Sequence, residues 1–397
     1  MEPIHGWIVL LFSLFFIFAY IKIKYPFWNI QPVYHTYDYW RMCYSSPFII
    51  YKHRPIKTKF CDFDHIKTFD YLECSREQQE ELLNIFQCYY IPSEKIIHDI
   101  TAENLGAILT CAGHQSFISL YMPSTTPIAA ITSRFANMYI RDLNANHTNF
   151  PIYFIDYLCV HREHDATKIS RKLLQTHEYN QRIKNPSVAV SLIKKEVDLF
   201  EGIVPLVTFQ TSTFFIRNHP FPALPPHFQV VRITTSNIDL LHDFMHSAVD
   251  IPALFDLGVM GDIGSLISMI KTDLLYAFCL QRGEHIYAYY FIKDAKMQVE
   301  TDGTAATSHT LQSVCSIINT KDERLFYLGF LHSLHKIVQI HKKYKMIIFD
   351  EIGHNVTLMQ HWRRKNTPIF TNPSAYYLFN MVYPCSPINA EKCLFLL

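Results

Sequence analysis

Four prolines fall within nine residues near the middle of the chain, Asn218-His219-Pro220-Phe221-Pro222-Ala223-Leu224-Pro225-Pro226. Proline fixes φ and offers no backbone N–H, so this stretch can continue neither a helix nor a central strand. It reads as a linker, and it divides 397 residues close to their midpoint. A chain of that length holds two domains or one large pseudo-duplicated fold. The two halves open alike. Before the linker, a strand over 69–72 leads to Ser75 with Gln78 three residues on, a capping box that starts a helix running to about Tyr90. After it, a strand over 229–233 leads to Ser236-Asn237-Ile238-Asp239 and a helix to Ala248.

Strands and helices are interspersed elsewhere. The first half is expected to hold a helix over 101–110, strands over 117–121, 128–140 and 152–160, and helices over 168–182 and 187–200. Gly202 would close the last of these, before a strand over 203–210. The second half gives strands near 277–280 and 286–291, a helix over 325–342, strands over 346–349 and 375–382, and an apolar end at 393–397. This order fits an α+β architecture with central, mostly antiparallel sheets covered by helices.

Residues 7–21 are uncharged and apolar apart from one serine, and Lys22 can snorkel to extend the run to 23. At ~1.5 Å per residue such a helix nearly spans a hydrocarbon core of ~30 Å. Glu2 and His5 open the segment and Lys22 and Lys24 follow it directly, which favours a single-pass anchor over a cleaved signal peptide. The positive flank then places the main domain on the cytosolic side, with the sequons at Asn146 and Asn355 unglycosylated.

Charge narrows the function classes. There are 36 Lys+Arg against 35 Asp+Glu, and no dense basic block alternates with aromatics, so nucleic acid is not an expected partner. Ten cysteines stand singly, implying neither a zinc site nor a disulfide scaffold. His161 with His164, and His332 with His335, are spaced to share a metal, but neither pair has a Cys or carboxylate complement at ligand spacing, and no metal is expected. No G-x-S-x-G and no G-x-x-x-x-G-K-[ST] occurs.

Three stretches carry a more specific message. They are Tyr25-Pro26-Phe27-Trp28-Asn29-Ile30-Gln31-Pro32-Val33, then Ile155-Asp156-Tyr157-Leu158-Cys159-Val160-His161, and the C-terminal Ala375-Tyr376-Tyr377-Leu378-Phe379-Asn380, Pro384-Cys385 and Ala390-Glu391-Lys392-Cys393-Leu394-Phe395-Leu396-Leu397. In this order they resemble the N-myristoyltransferase family, and the likeness runs over roughly residues 25–397. The resemblance implies two tandem GNAT-like acyltransferase folds: an acyl-CoA-binding half over 25–217 and a half over 218–397 for the peptide and the terminal carboxylate, after an anchor over 1–24. It implies transfer of a myristoyl group from acyl-CoA, the co-substrate, to the N-terminal glycine amine of proteins, with no permanently bound cofactor.

By position, the resemblance assigns the Tyr157 and Leu158 N–H groups to an oxyanion hole, where fixed amide dipoles stabilise charge on the thioester oxygen. Tyr25, Phe27 and Trp28 would cover the CoA, and Tyr376 and Asn355 would face the peptide. The carboxylate of Leu397 becomes the base. Its neighbours Leu394, Phe395 and Leu396 should bury, dragging an ionised group out of water at a cost that an incoming ammonium would offset. In the family a short basic loop after the central strand enters a helix that holds the CoA phosphates. Residues 162–168 here include Glu163 and Asp165 and are too acidic for that. Arg182, Lys184, Asn185 and Ser187, ahead of the helix expected from 187, are the better match, which makes 163–181 an insertion. Two departures bear on peptide choice. The family's glycine-rich loop is Pro368-Ile369-Phe370-Thr371-Asn372, and its acidic run is reduced to Pro92-Ser93-Glu94-Lys95. A catalytically degenerate binding protein and a membrane-anchored GNAT-type N-acetyltransferase stand as alternatives.

Overall fold

The computed structural model describes residues 2–44, 46–91, 96–142, 144–217, 222–246, 254–300 and 307–397, with the backbone alone at 2–10, 42, 246 and 300. Helix α1 (Glu2–Lys24) covers the apolar N-terminal stretch. Among the described residues no helix is long and apolar enough to cross a membrane. The expected anchor, and the cytosol-facing orientation drawn from it, are therefore corrected. The uncharged run over 7–21 amounts to roughly 22 Å of helix at ~1.5 Å per residue, short of a hydrocarbon layer of ~30 Å.

Strands β1 (Phe48–Ile49) and β16 (Met381–Val382) form a small ribbon. The other described strands join one sheet. From before the linker come β2 (Ile66–Asp70), β3 (Ile96–His98), β4 (Phe117–Tyr121), β5 (Ala129–Arg141), β6 (His147–Val160), β7 (Val190–Glu196) and β8 (Val207–Phe215). From after it come β9 (Gln229–Ile233), β10 (Leu257–Gly261), β11 (Leu275–Arg282), β12 (His285–Glu300), β13 (Thr307–Ile318), β14 (Tyr344–Asp350), β15 (Phe370–Phe379) and β17 (Cys393–Leu396). The order is β17-β10-β5-β6-β7-β15-β8-β14-β13-β12-β11-β9, with β2, β3 and β4 paired off this path. Neighbours are antiparallel except β10 with β17, β6 with β7 and β13 with β14. Strands from beyond the linker thus lie among those from before it. Residues 218–221 of the linker, 92–95 and the expected end of the helix at Ala248 lie outside the described residues.

Helices cover the sheet. Helices α2 (Arg76–Tyr89), α3 (Ala102–Leu109), α5 (Asp239–His246) and α6 (Ile263–Lys271) bury Leu82, Phe86, Leu105, Ile108, Leu241 and Leu266 in one cluster with Ile118, Tyr157 and Leu396. Helix α4 (Ala166–Lys184) packs Ile169 and Leu173 on Ile131, Ile155 and Ile193. Helices α7 (Glu323–Ile340) and α8 (Asn355–Arg363) cover β11 to β14 through Phe326, Phe330 and Trp362. The capping box forms as expected, with the Gln78 N–H donating to Ser75 Oγ at 3.2 Å and Gln78 Oε1 accepting from the Ser75 N–H at 2.9 Å. Two expectations are corrected. The strand near 69–72 begins at Ile66 and ends at Asp70, giving way to a 3₁₀ turn. Residues 187–200 form no helix. Val188, Val190 and Leu192 alternate with smaller residues, the two-residue period of a strand, and β7 uses it between β6 and β15.

Candidate active site

The central irregularity of the sheet lies in β6. Strands β5 and β6 pair continuously from Arg141 opposite His147 to Thr132 opposite Asp156, and pairing resumes at Ala130 opposite Cys159. Tyr157 and Leu158 therefore face Ile131 alone, a β-bulge that leaves backbone groups outside the ladder. Tyr157 takes φ 49°, a left-handed conformation that a tyrosine tolerates only where the surroundings impose it. On its other edge β6 pairs with β7 only from Ile152–Ile155 to Val190–Ile193. Beyond Ile155 the two strands part, and the bulge sits at the mouth of that split.

Charged side chains converge beside it. Asp156 turns its carboxylate back on the bulge, where Oδ1 accepts from the Tyr157 N–H at 2.9 Å. Its Oδ2 lies 3.9 Å from Nη2 of Arg134, a buried arginine on β5 whose guanidinium sits over the Phe154 ring at 5.3 Å. On β7, Lys194 bonds Glu196 at 2.7 Å and Asp350 at 2.9 Å. Burial works against its charge, but Asp350 and Glu196 outweigh burial and hold its pKa above the ordinary lysine value. Lys293 on β12 lies in the fields of Arg134, Asp156 and Lys194; burial first, then Arg134, push its ammonium down to about 8. Burial likewise drops His98 to about 4, opposed by Asp156. These charges come from strands far apart in the chain, and none was picked out by sequence reasoning. The available signal was a charged residue inside an apolar run: Arg134 in ITSRFANMYI, Asp156 in YFIDYLCV and Lys293 in YYFIKD.

The C-terminal strand closes the other side. Strand β17 runs parallel to β10, Leu396 opposite Met260. Leu397 is 8% exposed and shares a cluster with Phe154, Phe209, Tyr376 and Phe395. The Tyr376 and Phe395 rings stack at 4.0 Å. Leu397 thus lies among the same side chains as Phe154, which is two residues from Asp156 and on the same face of β6.

Near the N-terminus, Phe27 is buried against Trp28 and Phe60, with ring centroids 4.8 and 5.0 Å away, and Trp28 meets Phe200 at 4.6 Å. Both belong to the cluster that contains Ile131 and Leu158. Tyr25 lies against Gly202, which takes φ +82° and whose added Cβ would fall 2.8 Å from the Tyr25 ring. Gly202 therefore serves a turn and a close approach between β7 and β8, in place of the expected helix end.

Several assignments change. The segment over 162–168, expected to be too acidic, does lead directly into a helix: Asp165 is the N-cap of α4, its Oδ1 accepting from the Lys168 N–H at 2.9 Å. The residues over 163–181 thus run from the end of β6 into α4. Arg182 and Lys184 lie in the last turn of α4, and Asn185 and Ser187 follow it into β7, so these four frame no helix start. Asn185 donates to the Tyr153 hydroxyl at 2.8 Å and Arg182 to the Tyr51 carbonyl at 2.7 Å. Asn355 is fully buried, bonding Ser316 Oγ at 2.6 Å and the Ser313 carbonyl at 2.9 Å, which places it within the fold and out of reach of a peptide.

No protein-family model matches the sequence, and no curated protein matches it at a significant level. Among solved structures, Saccharomyces cerevisiae N-myristoyltransferase with bound myristoyl-CoA superposes with a TM-score of 0.70 at 12% identity, over 92% of this chain and 94% of that one. The same enzyme with bound myristoyl-CoA and inhibitors gives 0.70 and 12% over 94% of each chain. A tandem GNAT protein from the clavulanic acid biosynthesis pathway gives 0.52 at 10%, over 79% of this chain and 98% of that one. At these identities the likeness is one of fold: a mixed α/β architecture with a large, mostly antiparallel sheet, shared with these enzymes.

Proposed function

We propose that the chain is an acyl-CoA-dependent acyltransferase that moves a long acyl group, myristoyl, from CoA to the N-terminal glycine amine of a protein. The observation that supports this best is the β6 bulge, which sets Tyr157 and Leu158 opposite Ile131 alone at a split between strands, within a fold shared with an N-myristoyltransferase. In this reading the acyl-CoA lies on the half over 25–217, with Phe27 and Trp28 over the CoA and Tyr25 behind them. The peptide lies on the half over 218–397, beside Tyr376.

The amine nitrogen attacks the thioester carbonyl carbon, and the Tyr157 and Leu158 N–H groups receive the charge that forms on oxygen. The C–S bond then breaks, CoA leaves as thiolate, and the proton lost by the amine passes to the Leu397 carboxylate. No enzyme-bound acyl intermediate is needed.

A second reading is favoured by three features. Asp156 already occupies the Tyr157 N–H, Asp165 caps α4 with a negative charge, and Lys194 on β7 holds its ammonium in an ion pair with Asp350. A protein so built binds an acyl-CoA or a protein terminus without turnover. Mass spectrometry of a glycine-starting peptide incubated with the protein and acyl-CoAs of graded length separates the readings. Acyl transfer that rises with chain length supports the first, and binding of myristoyl-CoA without a product supports the second. Equal transfer at all lengths, acetyl included, would overturn the long-chain assignment.

A further inference from the structure

The segment that carries Phe27 and Trp28 folds back on itself and is fastened by one buried histidine, His35, which is 7% exposed. His35 Nε2 lies 2.8 Å from the Trp28 carbonyl oxygen, which also accepts from the Gln31 N–H at 3.0 Å. On the other side of the ring, Nδ1 lies 2.9 Å from Asp38 Oδ2. Burial works to raise the Asp38 carboxyl, but bonds from His35, then the charge of Arg41, outweigh it and hold it below the ordinary aspartate value. Both partners of the ring are therefore acceptors. A neutral imidazole brings one N–H and fills one of these contacts, setting a lone pair against oxygen at the other. The imidazolium donates to both.

The surroundings suit a cation. Arg41 Nη1 approaches Asp38 Oδ2 at 3.3 Å and donates to the Val33 carbonyl at 3.0 Å, which draws the loop together around the same carboxylate. The His35 ring lies on Tyr37, centroids 4.8 Å apart and 15° from parallel, and Tyr37 lies on Tyr25 at 6.5 Å. Burial, then Asp38 and Tyr25, push the Tyr37 phenol up to about 12, so a neutral ring presents its π face to the histidine. Burial, then Asp38, likewise raise Tyr34. On the neighbouring strap, which pairs with His35 through Ile203, Glu201 is taken up by Lys24 at 3.9 Å. The clasp also reaches the candidate active site: the Trp28 ring meets Phe200, Phe200 meets Tyr377 at 5.0 Å, and all three share a cluster with Leu158.

We propose that His35 is a positioning residue for the acyl-CoA: its imidazolium clasps the Trp28 turn in the place from which that ring covers the CoA, and loss of one proton loosens it. This rests on the acyl-transfer reading. Imidazoles gain and lose a proton near neutrality, so acyl-CoA is held more tightly in mildly acidic than in alkaline solution.

Calorimetry of the full chain with myristoyl-CoA at pH 6 and pH 8.5 tests this. Wild-type affinity should fall about fivefold as pH rises, the weight of one modest hydrogen bond. His35→Gln carries no charge and bonds one acceptor at most; it should bind about tenfold more weakly at pH 6 and lose the difference between the two pH values. Asp38→Asn keeps an acceptor but removes the anion beside the ring, so the fall in affinity should move to lower pH, a move that a purely structural contact does not produce. Long-range ¹H–¹⁵N NMR at pH 6, with the His35 signals identified by their loss in His35→Gln, should show protons on both ring nitrogens. A single ring proton at pH 6, or a pH dependence equal in wild type and His35→Gln, overturns the clasp. Absence of any myristoyl-CoA binding defeats the acyl-transfer reading instead, and the NMR result then decides the clasp by itself: two protonated nitrogens support it and one overturns it.

Discussion

The strands that meet at the candidate site are built on two principles, making a charged wall around the β6 bulge and an apolar wall around the C-terminus. The charged wall, where β5 and β6 pass the bulge, is strained: a tyrosine at φ 49°, an arginine of β5 over the Phe154 ring of β6, and the Asp156 carboxylate turned back on its own strand. The wall formed by β10, β15 and β17 is apolar and regular, with Phe395 stacked on Tyr376 and Leu397 packed among rings. A regular wall holds a position, while a strained one holds backbone donors that its own side chains can switch off. Catalysis in the proposed sense needs the first to be rigid and the second to be free, and here the Asp156 carboxylate sits on the donor that should be free.

Four experiments break or sharpen that contrast. Extending the chain by one residue after Leu397 displaces the carboxylate from the apolar wall. Peptide acylation should fall about 10²–10⁴-fold, the usual span for a general base, while myristoyl-CoA affinity by calorimetry changes less than threefold. Retained turnover would remove the tail from the chemistry.

The second test concerns the helix behind the charged wall. Burial holds the Glu178 carboxyl up at about 7, against an ordinary 4.5, so between those values the folded chain keeps a proton that the unfolded chain has lost. Stability is full below pH 4.5 and is lost as pH rises through 7, by on the order of 3 kcal/mol. Chemical denaturation at pH 5 and pH 8 should show this loss, and Glu178→Gln should flatten it. An equal slope in the variant would assign the pH dependence elsewhere.

Third, Asp156→Asn keeps the side-chain shape but removes the anion beside the forming oxyanion. The acylation rate constant should rise about tenfold, a fraction of what an oxyanion donor is worth. A fall instead would make the carboxylate part of the machinery. The smallest effect belongs to Asp165→Asn, which retains a good cap and deletes the charge at the start of α4. Acyl-CoA affinity should improve about threefold, with the melting temperature nearly unchanged.

The contrast also explains what could be read from the chain. The apolar wall was legible because its signals are local: the Tyr376 stretch read as a strand and is one, and the 393–397 run was expected to bury and does, as strand β17. Ser75 and Thr101 each cap the helix they were expected to start. The charged wall was not legible, because Arg134, Asp156, Lys194 and Lys293 come together only through sheet order. The misplaced phosphate cradle had a different origin. Residues 162–168 were set aside for the carboxylates of Glu163 and Asp165, but helix initiation there depends on one aspartate side chain accepting one amide. The helix over 168–182 was expected; accepting Asp165 as its cap would have made it the helix that directly follows the central strand, and released 190–196 to be the strand that its alternation describes.

Strand β15 enters the sheet between β7 and β8, although roughly 155 residues of chain separate it from the end of β8. The consequence concerns assembly. Neither polypeptide half can complete its hydrogen bonding alone, because each supplies strands that the other's ladder requires. Severing the chain with a protease at 222–226 should therefore leave two fragments that elute as one particle. Refolding should be slow, limited by closure of that long segment before its contacts repay the lost chain entropy.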